Sequence, residues 1–96
     1  MGATPSDEVA ERRSLALKMK ALSHPVRLKI IQILKVRGCV CSEIVEMLQM
    51  AQATVSQHLK VLKEAGFING VNYGTKTCYS LNHEALKAFK ESVSQL

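Results

Sequence analysis

Between Ser42 and Gly66 two short apolar stripes lie on either side of a four-residue break, and that spacing limits the fold more than any other feature of the chain. Ile44, Val45 and Leu48 recur on one helical face, and Ser42 is placed to cap the helix they define. The pattern stops at Gln49–Gln52. It resumes over about residues 53–65, where Val55, Leu59 and Leu62 form a second stripe that ends at Gly66, a residue favoured just past a helix. The spacing predicts a helix, a turn and a helix, the second of them polar on its opposite face.

The flanking segments predict a frame around this unit. Residues 1–6 are small and polar with one proline, which suits a mobile arm. Asp7 is a plausible start for a first helix carrying Leu15, Met19 and Leu22. His24-Pro25 breaks it, because proline fits the first turn of a new helix, here one with Val26, Ile30, Ile31, Ile33 and Leu34 as its apolar set. Gly38 stops that second helix, and Cys39-Val40-Cys41 stands at the start of the third. Phe67–Val71 and Thr75–Leu81 are rich in β-branched and aromatic residues, with the turn formers Asn72-Tyr73-Gly74 between them, and predict a hairpin wing. Leu86, Phe89, Val93 and Leu96 predict a last amphipathic helix. The expected fold is mostly α with a small β-hairpin, a winged helix-turn-helix in one domain over residues 7–96.

Composition narrows the partners. Ninety-six residues, 47% of them hydrophobic, suffice for one core. Thirteen Lys plus Arg against eight Asp plus Glu give a formal charge of +5, which favours polyanions, nucleic acid first. No apolar run of about 18 residues exists to span a bilayer, and the start lacks a signal peptide's pattern, so the cytoplasm is the expected compartment. There is no Ser/His/Asp order, nucleotide loop or carboxylate pair, and His24, His58 and His83 form no recognisable set, so the chain does not read as an enzyme.

On a helical wheel Ser56, Gln57 and Lys60 lie away from the fourth helix's apolar stripe, Thr54 and His58 flank it, and Gln52 precedes it. Side chains that both donate and accept hydrogen bonds read base edges in the major groove, and cations hold phosphate. Gln57 is the expected base reader and Lys60 the expected phosphate contact. His58 either touches DNA or bonds to the helix-turn-helix frame. Lys76 is the only charge between Asn69 and Thr77, so the wing should clamp weakly.

Three cysteines are an odd number for a disulfide framework, which leaves Cys39, Cys41 and Cys78 as thiols or metal ligands. Two thiolates as close as Cys39 and Cys41 suit soft ions such as As(III), Sb(III), Cd(II) or Pb(II). Residues i and i+2 of a regular helix are about 200° apart, so shared ligation requires Cys39 outside the helix or a distorted first turn. Cys78, alternating with Thr77 and Tyr79, reads as a structural strand residue, with a role as further ligand left open.

Four segments in order, residues 20–28 (KALSHPVRL), 39–41 (CVC), 53–62 (ATVSQHLKVL) and 64–66 (EAG), resemble the ArsR/SmtB metalloregulatory repressors, and the similarity runs over roughly residues 15–89. The resemblance implies a homodimer built by the first and last helices, a DNA-reading fourth helix on a pseudo-palindromic operator, and an effector site whose occupation releases DNA. It places the effector at Cys39 and Cys41, with arsenite or antimonite as the favoured inducer and Cd(II) or Pb(II) as options. The chain departs from the family pattern in several places. Ala51 and Ala53 stand where serines are frequent, Ile44 stands where a third cysteine often lies, and residues 1–38 contain no cysteine. Asn82-His83-Glu84 lacks the His-x-x-His of a zinc site on the last helix. Two other readings compete: a repressor switched by oxidation or persulfidation of the same thiols, and a winged-helix module that binds protein.

Overall fold

The computed structural model describes residues 5–96, with side chains from Ser6 onward. Helix α1 spans Pro5–Leu22. It begins two residues before Asp7, because proline needs no hydrogen-bond partner in a first turn and Asp7 and Glu8 then lie near the positive end of the helix dipole. The mobile arm expected for residues 1–6 is therefore helical at its end, and residues 1–4 lie outside the described residues. Among the described side chains of α1 only Ala21 is buried; Leu15, Met19 and Leu22 are half-buried and Leu17 is 65% exposed.

Helix α2, Pro25–Val36, starts at the expected break. Its cap is an imidazole: His24 Nδ1 accepts from the Val26 N–H at 3.1 Å. The chain then forms an element that the sequence did not predict, strand β1 at Cys39–Val40. Cys39-Val40 precedes helix α3, Cys41–Leu48, rather than beginning it. Gly38 serves close approach here, since a Cβ at this position would stand 3.1 Å from the Tyr79 carbonyl oxygen. Ser42 lies inside α3 and is not its cap. The first turn is instead held from within, by Glu43 Oε1 accepting from the Val40 N–H at 3.0 Å.

Gln49, in the left-handed region with φ 52, ends α3, and α4 runs Gln52–Glu64. Its N-cap is Ala51, which offers no side-chain acceptor. Gly66 follows with φ 85. Strand β2, Ile68–Tyr73, starts one residue later and ends two residues later than expected, β3, Lys76–Leu81, starts one residue later, and the two meet at a two-residue loop. Gly74 takes a positive φ of 59 there, so the turn is Gly74-Thr75 rather than Asn72–Gly74. The sheet is antiparallel in the order β1-β3-β2, pairing Cys39 with Tyr79, Val40 with Cys78 and Val71 with Cys78. Helix α5, His83–Ser94, is capped by Asn82, which accepts from the Ala85 N–H at 3.1 Å. Leu86 faces the core, while Leu96 falls past the helix end and is 83% exposed.

One core joins these elements. Ile30 of α2, Ile44 of α3, Val55, Leu59 and Leu62 of α4, and Phe67 and Ile68 at the root of β2 are at most 2% exposed. Phe67 meets Phe89 of α5 edge to face, with ring centroids 5.4 Å apart. No described helix is long and apolar enough to cross a membrane. Because Ile44 is the buried anchor of α3, Ile44→Ala is expected to cost about 2–5 kcal/mol in urea unfolding. Val36→Ala, at a residue 83% exposed, should stay within about 0.5 kcal/mol.

Candidate nucleic-acid interface

The buried stripe of α4 fixes which side chains the helix offers. With Val55, Leu59 and Leu62 in the core, Gln52, Thr54, Ser56, Gln57 and Lys60 are all exposed. Ser56, Lys60 and Lys63 follow one another along the helix at four- and three-residue steps, and Gln57 lies beside them. Their exposure leaves the amide, hydroxyls and ammonium groups available to base edges and phosphates.

Lys63 is a cation that the sequence reading missed. A Cβ at Gly70, on β2 at the root of the wing, would lie 3.5 Å from Lys63 Nζ. The wing's own charge is Lys76, exposed and paired across the tip with Tyr73, itself 68% exposed. The signal for Lys63 was its spacing of three from Lys60, but its reach to the wing depends on how α4 crosses the sheet.

His58 is only half-buried and turns toward the frame. Its Nδ1 accepts from Arg27 Nε–H at 3.2 Å, and its ring centroid is 4.5 Å from that of His24. Arg27 in turn donates to the Ala21 and Lys20 carbonyls at 3.3 and 3.4 Å, closing the C-terminal end of α1. The end of α1, the start of α2 and the middle of α4 thus meet at one polar joint. Burial, then the His24 and Arg27 charges, push the His58 pKa below its ordinary 6.5.

The cysteines occupy three settings. Cys39 is 1% exposed, its Sγ 3.7 Å from the Arg37 carbonyl, and burial raises its pKa against the opposing pull of Arg37. Cys41, the first residue of α3, is half-buried with its Sγ 3.7 Å from Ser56 Oγ on α4. Cys78, half-buried on β3, lies opposite Val40 and Val71. Cys39 is outside the helix, as shared ligation with Cys41 requires, but its thiol is packed in the core. Among the described residues no three His, Cys, Asp or Glu side chains are grouped as a metal site. Arg37 and Glu43, joined at 2.8 Å, brace the same junction from outside.

The sequence model described as "Bacterial regulatory protein, arsR family" matches residues 24–70, from the cap of α2 to the root of the wing. An uncharacterized HTH-type transcriptional regulator of Methanocaldococcus jannaschii is 35% identical over 79 residues, covering 80% of this chain and 88% of that protein. The chain belongs to the ArsR family. The arsenical resistance operon repressor of Bacillus subtilis is 39% identical to this ArsR-family chain over 74 residues, 75% of it and 70% of the repressor. Among solved structures, the homodimeric winged helix-turn-helix DNA-binding domain of a Mycobacterium bovis protein superposes with a TM-score of 0.81 at 23% identity, covering 99% of this chain and 91% of that one. As an ArsR-family protein with this winged helix-turn-helix, the chain is a DNA-binding transcription regulator and not an enzyme.

The Arg27–His58 joint sets a pH dependence. His58 binds protons more weakly when folded than when unfolded, so the stability due to its neutral form is complete above pH 6.5 and is lost as pH falls through the lower folded value. Thermal unfolding followed between pH 7.5 and 5 should show a falling midpoint, and His58→Gln should flatten that slope. An equal slope in the variant would place its origin elsewhere.

Proposed function

We propose that the chain is a homodimeric transcriptional repressor of the cytoplasm, bound to a pseudo-palindromic operator and released from it by a thiophilic ion at Cys39 and Cys41. The observation that carries the DNA reading is the exposed row Ser56, Gln57 and Lys60 on a helix fixed by three buried residues. In this reading α4 enters the major groove with Gln57 on a base edge and Lys60 on phosphate, Gln52, Thr54 and Ser56 adding contacts and Lys76 holding the backbone from the wing. Lys63 supplies charge at the wing root. Two-fold pairing puts the two recognition helices about 34 Å apart, one helical turn of DNA.

The pairing surface is α1 with α5. Leu17 of α1 is 65% exposed, Val9 and Val93 are each 38% exposed, and Leu15 and Phe89 line a cleft between the two helices. A second copy covers these side chains and removes them from water, the commonest arrangement for a soluble oligomer.

For the switch, arsenite or antimonite is the favoured inducer, with Cd(II) and Pb(II) as alternatives; one relative's name as arsenical resistance operon repressor supports the first and another's as a cadmium resistance regulatory protein homolog supports the second. Cys39 must lose a proton and leave the core to share an ion with Cys41, so ligation works against the β1–α3 junction. Cys41 already touches Ser56, so its capture draws on the recognition helix directly. A coupling of about 1–3 kcal/mol between ion and operator is the expected scale. Cys78 stands in the neighbouring strand as a further thiol for an ion that needs a third ligand.

Fluorescence anisotropy on operator duplex tests both halves. Gln57→Ala should weaken specific binding by about 1–3 kcal/mol, and Lys60→Ala should lower affinity on all sequences and reduce the salt slope by about 1. Absence of duplex binding at low salt would end the DNA reading and leave a protein-binding module. Under strict reduction arsenite should release the wild-type protein and not Cys41→Ser. Release by an oxidant or persulfide donor alone would replace the ion with thiol chemistry.

A further inference from the structure

The second half of α2 faces α3 across a cleft of about 270 Å3 whose inner end reaches Cys39. Its walls are apolar: Ile33 and Val36 on α2 and Met47 on α3. Two of these are unusually open to water, Val36 at 83% and Met47 at 49%. Neither lines the cleft between α1 and α5 on which the dimer proposed above is built. Methionine's flexible thioether adapts to whatever fills such a space.

The rim is cationic. Lys29 and Arg37 both border the cleft, and Arg37 is neutralised by Glu43 at 2.8 Å. Among the described residues Lys29 has no carboxylate within 4.0 Å, so one positive charge is left over. Gln32 adds an amide donor beside it. The volume lies just under the usual range for small-molecule sites, roughly 300–1,000 Å3, which selects a compact ligand.

We propose that this cleft binds a small amphiphilic monoanion, a medium-chain or aromatic carboxylate. Its apolar part covers Val36 and Met47 against Ile33, and its carboxylate meets the Lys29 ammonium and the Gln32 amide. One net cation matches one carboxylate, and the open apolar walls match a tail. The occupant sets the spacing between α2 and α3, and α3 is the first helix of the helix-turn-helix. Binding to the cleft does not depend on the DNA reading; an effect of the ligand on operator affinity does.

Octanoate titrated into the reduced, full-length protein by calorimetry is the direct test. Saturable binding of one octanoate per chain is expected, with octan-1-ol weaker by about tenfold because it lacks the charge. Lys29→Glu and Val36→Glu, both at positions outside the core, should each weaken octanoate by about tenfold or more without moving the thermal midpoint. Non-saturable uptake, equal affinity for octan-1-ol, or unchanged affinity in both variants would overturn the proposal. A second measurement separates the two readings: octanoate should weaken operator binding by the wild-type protein and not by Val36→Glu. Should the ligand-free protein bind no duplex at low salt, the DNA reading fails while the calorimetric result stands on its own.

Discussion

The burial of Val55, Leu59 and Leu62 against Ile44 and Phe67 is the constraint on which the rest of the molecule depends. Each contributes roughly 1.5–3 kcal/mol by leaving water, and together they leave α4 one rotational setting. Everything exposed on α4 is a consequence of that setting. The polar row from Ser56 to Lys63 needs no interactions of its own to be presented, because the reverse side of its helix is core.

A second constraint acts at the ends of helices, where polar atoms rather than apolar ones decide the geometry. His24 caps α2, and Arg27 closes α1 while donating to His58. Glu43 holds the first turn of α3 and is itself held by Arg37. The two arrangements hold the helix-turn-helix at two points, one through the middle of α4 and one through the start of α3. The thiols of Cys39 and Cys41 flank the second grip, and the Cys41 thiol is the one that reaches α4, at Ser56 Oγ.

Helical periodicity made α2, α3, α4 and α5 legible, because their stripes are regular and breaks at Pro25, Gly38 and Gly66 separate them, while the cap of α5 at Asn82 became visible only in the structure. It failed where structure depends on partners distant in sequence. Cys39-Val40 becomes a strand only because β3 lies alongside, and two residues carry no alternation to detect. Ser42 lost its expected capping role to Glu43, whose carboxylate reaches the Val40 N–H. The exposed residues of α4 were readable from the wheel, whereas Lys63 at the wing root and the turn of His58 toward Arg27 required the crossing of α4 over the sheet and α2. The Cys-Val-Cys spacing was visible, but the depth of Cys39 was not, since β-pairing rather than helix phase sends it inward.

Gln49 ends α3 in a left-handed conformation that costs an ordinary residue about 1–2 kcal/mol. It is the first of the three residues, Gln49 to Ala51, that separate α3 from α4. Its well is narrow and separate from the helical one, so α3 does not lengthen into this link by small drifts of torsion. Backbone torsion as well as packing therefore limits α3, and the surrounding core has to supply what that torsion costs.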